Sequence, residues 1–210
     1  MIPWFYSAVR VMVRMLLFLL TSWLVSGGEN IPNRGPLIIV ANHLNLADPL
    51  LLGASVSRRV AFMAKEELFR YAFLGYIIHR LGAIPVHRGY MARGVLRQAE
   101  RILAQGQALA LFPEGARSRS GQLRRAFSGA ALIALHSGAP VLPVGITGTE
   151  KIRGVAWFLR RPRLTVNIGH PFYLKEGSDR LTTEELAKYT DSIMRSIAKL
   201  LPMEHRGYYA

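Results

Sequence analysis

Apolar positions along the chain fall into two patterns: short continuous runs bounded by turn residues, and longer stretches in which they recur at helical spacing. The continuous runs predict strands at Leu37–Ala41, Val60–Ala64, Gly82–Arg88, Ala108–Phe112, Val141–Ile146 and Leu164–Ile168. Helical patterns fill the gaps at Pro49–Ser57, Glu66–His79, Arg93–Gln105, Gly129–Ser137 and Thr183–Leu200, the last opened by a capping box from Thr182 to Glu185. A strand that is apolar throughout must be covered on both faces. The alternation therefore predicts an α/β fold with a mostly parallel central sheet flanked by helices, and functional groups on loops at the carboxyl ends of the strands.

Residues 1 to 25 read as one apolar helix, stopped by Ser26-Gly27-Gly28, with Arg10 and Arg14 about one turn apart and Trp4, Tyr6 and Trp23 towards its ends. Its uncharged run extends only from Met15 to Ser26. A transmembrane span needs about 20 apolar residues, and each arginine near the bilayer centre costs about 2.5–3.5 kcal/mol. A signal peptide cleaved near Val25-Ser26-Gly27 is a second reading. The preferred one is a helix lying in the membrane interface, its narrow polar stripe towards headgroups and its broad apolar face in acyl chains or against the domain. This divides the chain into a membrane-interface helix over 1–26 and an α/β domain over 27–210, and predicts monotopic membrane association.

Composition sharpens that reading. Of 210 residues 50% are hydrophobic and 19% charged, enough for one domain with a sizeable core. Lys and Arg number 27 against 13 Asp and Glu, a formal charge of +14, yet the mean hydropathy is +0.19. Arginines scattered among long apolar runs fit an anionic lipid surface better than nucleic acid. With no cysteine there is no disulfide framework, thiolate metal site or cysteine-bound acyl intermediate, and the six histidines show no ligand-like clustering, so no metal is expected.

Two loops carry candidate chemistry. Strand Leu37–Ala41 runs into Asn42-His43, and Asp48-Pro49 follows before a helical run. Asp48 can cap that helix and His43 can be an ordinary loop imidazole. Alternatively the loop folds back so that the Asp48 carboxylate holds one ring nitrogen of His43 and the other takes a proton from a substrate hydroxyl. On one continuous helix a spacing of five would put the two about 140° apart, so the pairing needs the loop. No Gly-x-Ser-x-Gly elbow supplies a serine nucleophile, which leaves base-assisted attack by a substrate alcohol as the simpler chemistry.

The second loop follows strand Ala108–Phe112 as Pro113-Glu114-Gly115-Ala116-Arg117-Ser118, with Arg119, Arg124 and Arg125 beyond. Glycine permits close backbone approach and a guanidinium matches phosphate oxygens, so the loop suits a phosphomonoester, with Arg117 the best candidate for specific contact. Arg124 and Arg125 read as general attraction to anionic lipid. Glu114 would repel a phosphate and is better suited to accept from a hydroxyl or orient an arginine. Arg88 closes another strand, and Lys65 ends its own; each reads as a surface charge or a phosphate ligand.

With Asn-His-x-x-x-x-Asp at 42–48, Gly-x-Ile-Pro-Val-x-Arg at 82–88, Phe-Pro-Glu-Gly-x-Arg-Ser at 112–118 and Val-x-Pro-Val at 141–144, the chain resembles the glycerolipid acyltransferases, and within them the 1-acylglycerol-3-phosphate acyltransferases. The resemblance spans roughly residues 28 to 150 with the four blocks in the family's order. It implies transfer of a fatty acyl group from acyl-CoA or acyl-ACP, as co-substrate and without a cofactor, to the free hydroxyl of a lysophospholipid acceptor, 1-acylglycerol 3-phosphate, at the cytoplasmic face of a membrane, giving phosphatidic acid. It further implies His43 as general base with Asp48 as its partner, Glu114 and Gly115 at the glycerol region, Arg117 and Arg88 at the phosphate, and Lys65 near it. Ala116 stands where the family usually has Thr, and Ser128 where many relatives carry Lys. Both departures bear on which acceptor is taken. An acyltransferase for another lysophospholipid or for glycerol 3-phosphate, a thioesterase, and a non-catalytic membrane lipid-binding protein are the alternatives.

Overall fold

The computed structural model describes residues 2–86, 93–154, 156–174 and 182–210. Its elements are α1 (Pro3–Leu20), β1 (Ser22–Ser26), β2 (Leu37–Ala41), α2 (Asp48–Ser55), β3 (Val60–Lys65), α3 (Ala72–Arg80), β4 (Ile84–Val86), α4 (Arg93–Ala104), β5 (Ala108–Leu111), α5 (Gly129–Ser137), β6 (Val141–Thr147), β7 (Arg163–Ile168) and α6 (Thr183–Ala198). The strands form one sheet in the order β1-β7-β6-β2-β5-β3-β4. From β6 to β4 all neighbours are parallel; β7 is antiparallel to β6, and β1 is parallel to β7. This is the mostly parallel, helix-flanked α/β sheet that the alternation predicts.

The two-residue period explains why the central strands are apolar throughout. Leu37, Ile39 and Ala41 of β2 share a buried face with Ala108 and Ala110 of β5 and with Leu51 and Leu52 of α2. Ile38, Val40, Leu109 and Leu111 point the other way, where Leu103 of α4, Ile133 of α5 and Ile197 of α6 cover them. Each such side chain contributes about 1.5–3 kcal/mol on burial. The carboxyl ends of β2, β3, β5 and β6 are thereby held side by side along one edge. At the start of α6 the capping box is present, with Thr182 N–H donating to Glu185 Oε2 at 3.0 Å and Glu185 N–H donating to Thr182 Oγ1 at 3.2 Å.

The first 26 residues are not one helix. α1 ends at Leu20, Thr21 donates its hydroxyl to the Leu17 carbonyl at 2.6 Å, and residues 22–26 pair with β7, from Ser22 opposite Arg163 to Ser26 opposite Asn167. An edge strand that shows most of its side chains to solvent has no alternation to read, so its apolar residues look like more helix. Because β1 belongs to the sheet, the α/β fold reaches back past residue 27.

The orientation of α1 also departs from expectation. Arg10 Nη1 donates to the Ser57 carbonyl at 3.2 Å and Arg14 Nε to the Ala54 carbonyl at 2.9 Å, so the polar stripe lies on the domain and satisfies carbonyls at the end of α2. Tyr6, Val13 and Leu17 also pack inwards, while Val11, Met12, Met15, Phe18 and Leu19 face out, Phe18 at 74% exposure. Among the described residues no helix is long and apolar enough to cross a membrane.

Two further boundaries differ. The helix predicted over Glu66–His79 is a 3-10 turn, Glu66–Arg70, followed by α3. The joint is crowded: a Cβ at Gly75 would lie 2.4 Å from the Phe69 carbonyl oxygen. The strand predicted over Gly82–Arg88 is β4, Ile84–Val86; Arg88, the candidate phosphate ligand, lies outside the described residues.

Candidate active site

Asp48 opens α2 but does not cap it. Its carboxylate turns back onto the loop, where Oδ2 accepts from Leu44 N–H at 2.6 Å, from Asn45 N–H at 2.7 Å and from His43 Nδ1 at 2.8 Å. Asp48 is 0% exposed, and its Oδ1 has no hydrogen-bond partner among the described residues. A carboxylate only accepts, so Nδ1 of His43 is the donor, and in the neutral ring the lone pair is on Nε2. The imidazole stacks on Phe112 with centroids 4.2 Å apart and 20° between planes, and its side chain keeps 16% of its surface open. The fold-back between residues 43 and 48 is thus the arrangement that frees one ring nitrogen for a proton.

The loop after β5 grips the backbone of His43 from the other side. Glu114 Oε1 accepts from His43 N–H at 3.0 Å, Glu114 Oε2 accepts from Arg124 N–H at 2.9 Å, and Ser118 N–H donates to the His43 carbonyl at 2.7 Å. Glu114 is 1% exposed, and burial pushes its pKa up to about 7 against the opposing pull of the two amide donors. Both oxygens are committed to backbone, so this carboxyl braces two loops and presents no open acceptor to a substrate. That differs from the glycerol contact implied by the resemblance.

Gly115 is needed where it stands: its φ is +65°, and a Cβ there would lie 2.7 Å from the Phe127 ring. Arg117 is exposed, and its guanidinium makes no hydrogen bond or ion pair among the described residues. Lys65 ends β3, which is parallel to β5, but its ammonium is already paired with Glu67 at 2.6 Å. The structure therefore brings His43, Asp48, Glu114 and Gly115 into one bonded unit, with Arg117 on the same loop and Lys65 along the same sheet edge.

Three residues without an assigned role complete the unit. Asn42 exchanges two hydrogen bonds with the Ile146 backbone, at 2.8 and 2.7 Å, tying the end of β2 to β6. Ser118 and Phe112 hold the backbone and ring of His43 as described above. Asn42 had a legible signal, since an amide at the end of a fully buried strand must find partners. The stacking of Phe112 had none.

Comparison with known proteins places this geometry. The Acyltransferase family model matches residues 23–147. A 1-acyl-sn-glycerol-3-phosphate acyltransferase of Streptococcus pneumoniae is 30% identical over 181 residues, 82% of this chain and 64% of that one; another, of Borreliella burgdorferi, is 30% identical over 129 residues, 60% of this chain and 52% of that one. The chain thus spans between half and two thirds of the length of these relatives. One from Bacillus subtilis is 26% identical over 174 residues, 82% of this chain and 84% of that one. The crystal structure of the 1-acyl-sn-glycerophosphate acyltransferase of Thermotoga maritima superposes with a TM-score of 0.71 at 29% identity, covering 93% of this chain and 78% of that one. The family match takes in more than half of the residues, from β1 to the end of β6, and with it every strand end from which the site is built, so this chain belongs to the acyltransferase family.

Proposed function

We propose that this chain moves a fatty acyl group from an acyl thioester, on coenzyme A or acyl carrier protein, to the free hydroxyl of 1-acylglycerol 3-phosphate, giving phosphatidic acid. The observation that carries the reading is the Nδ1–Asp48 bond at 2.8 Å, which leaves Nε2 of a partly open imidazole as base. Nε2 takes the hydroxyl proton as the oxygen adds to the thioester carbonyl. The tetrahedral oxyanion then collapses, the carbon–sulfur bond breaks, and the departing thiolate takes the proton from the imidazolium. Proton transfer of this kind is worth about 10²–10⁴-fold. Arg117 holds the acceptor phosphate, with Arg88 and Lys65 contributing charge, and Glu114 fixes the distance between the base and the arginine loop.

For its seat, α1 and the 3-10 turn Trp157–Arg160 lie on an anionic lipid surface. Phe158 and Leu159 are exposed among the exposed Arg153, Arg160 and Arg161. Arg161 links the two elements by donating to the Phe18 carbonyl at 3.2 Å. Exposed apolar side chains ringed by guanidiniums match acyl chains beneath anionic headgroups.

The deciding assay incubates the purified chain with acyl-CoA or acyl-ACP and a panel of acceptors, lysophospholipids and glycerol 3-phosphate. Phosphatidic acid formed from 1-acylglycerol 3-phosphate is the expected product. Release of free fatty acid at the same rate with and without acceptor would make the chain a thioesterase. Preference for another headgroup would trace to the hydroxyl absent at Ala116.

A further inference from the structure

Residues 203–210 lie along the arginine-bearing loop. They form two 3-10 turns, Met203–His205 and Gly207–Tyr209, anchored to the end of α6 by Arg206 Nε donating to the Leu201 carbonyl at 3.0 Å. The His205 carbonyl accepts from Leu123 N–H at 2.8 Å, and its ring Nδ1 lies 2.7 Å from the Gly121 carbonyl oxygen. Tyr208 N–H returns a bond to the Leu123 carbonyl at 3.3 Å, and the buried phenol oxygen of Tyr209 accepts from Ala126 N–H at 3.2 Å. Gly207 passes so close that a Cβ would lie 2.5 Å from the Leu123 carbonyl oxygen, and its φ is +50°.

The far side of the same loop is held from the catalytic centre. Arg124 N–H donates to Glu114, whose other oxygen holds His43, and Phe127 N–H donates to the Pro113 carbonyl at 2.9 Å. Amides of a solvated basic loop bond to water, whereas those of Leu123, Arg124, Ala126 and Phe127 all have protein partners. Arg125 is drawn over the Tyr208 ring at 5.4 Å, while the guanidiniums of Arg117, Arg119 and Arg124 have no hydrogen bond or ion pair among the described residues. The backbone is tied down at these four amides, and the three guanidiniums are left available.

We infer that His205, Gly207 and Tyr209 are positioning residues for the acceptor phosphate: they clamp residues 121–126, the continuation of the loop that carries Arg117, against the Glu114 brace, and so set the separation of the Arg117 guanidinium from the His43 base. The inference rests on the reading of this loop as the phosphate clamp. A clamp with its backbone already ordered loses less entropy on binding, and an alcohol held at a fixed distance from the base reacts faster than one that must search.

Hydrogen exchange of the full chain, with kinetics of acyl-CoA and 1-acylglycerol 3-phosphate, tests it. Wild-type Leu123 and Ala126 amides should be protected. Tyr209→Phe, which keeps the ring and removes the acceptor oxygen, should speed exchange at Ala126. It should also raise acceptor KM by about 3–10-fold, the equivalent of one net hydrogen bond, and by more than any rise in donor KM. Gly207→Ala, which forces the segment off Leu123, should do more of both. The inference falls if the wild-type amides exchange like open loop, if Tyr209→Phe loosens Ala126 with acceptor KM unchanged, or if both KM values rise together. Calorimetry with glycerol 3-phosphate separates this from the function itself: weaker binding by Tyr209→Phe sustains the positioning role even in a chain that transfers no acyl group, and equal binding there overturns it.

Discussion

At the scale of single residues, Oδ2 of Asp48 accepts two loop amides and the imidazole together, so it shapes the loop and sets the tautomer at once. His43→Ala should therefore lower kcat by about 10²–10⁴-fold with the fold intact by circular dichroism. Asp48→Asn should cost a similar factor because the neutral amide has no negative charge to stabilise the imidazolium that forms when Nε2 takes the proton. Glu114 makes a different prediction. Its folded pKa of about 7 lies above the ordinary 4.5, so between those values the folded chain holds a proton that the unfolded chain releases. Stability from this group is fully present below the unfolded pKa and is lost as pH rises through the folded one. Thermal melts of the wild type should show this loss between about pH 5 and about pH 7, and Glu114→Gln should flatten the dependence. An unchanged slope in Glu114→Gln would show that the carboxyl is not held protonated in the fold.

At the scale of elements, charged side chains turn inwards to satisfy carbonyls. Arg10 and Arg14 serve the end of α2, and Arg58 donates to the carbonyls of Pro32 at 2.9 Å and of Gly35 and Gly106 at 2.7 Å. Arg58 joins the segment entering β2 to the turn entering β5, the two strands that carry the base and the arginine loop. Arg58→Ala should lower unfolding free energy by about 2–4 kcal/mol, measured by urea titration, since charged hydrogen bonds to three partly buried carbonyls are lost together. The same inward turn leaves α1 with its apolar stripe outwards. A helix of this composition reads as polar stripe towards headgroups, and the carbonyls at the end of the neighbouring helix reverse it.

At the scale of the whole molecule, a charge of +14 and the outward faces of α1 and the Trp157–Arg160 turn belong together. Binding to anionic vesicles should weaken as salt is raised past about 0.1 M, where the screening length is about 10 Å. Phe18→Glu with Leu159→Glu should abolish what remains, by flotation; retention of this double variant on the vesicles would move the membrane seat elsewhere. The α/β alternation, the buried central strands, the capping box at Thr182 and the blocks around His43 and Glu114 were all legible in the amino-acid sequence, because each is local: a period, a cap, or a short motif at the end of a strand. The pairing of residues 22–26 with β7, the side of α1 that meets the domain, the brace from Glu114 to His43 and Arg124, and the clamp by residues 203–210 were decided by tertiary structure alone. Backbone amides and carbonyls are the same at every position, so which of them a side chain will meet across the fold is written in no residue until the sheet has assembled.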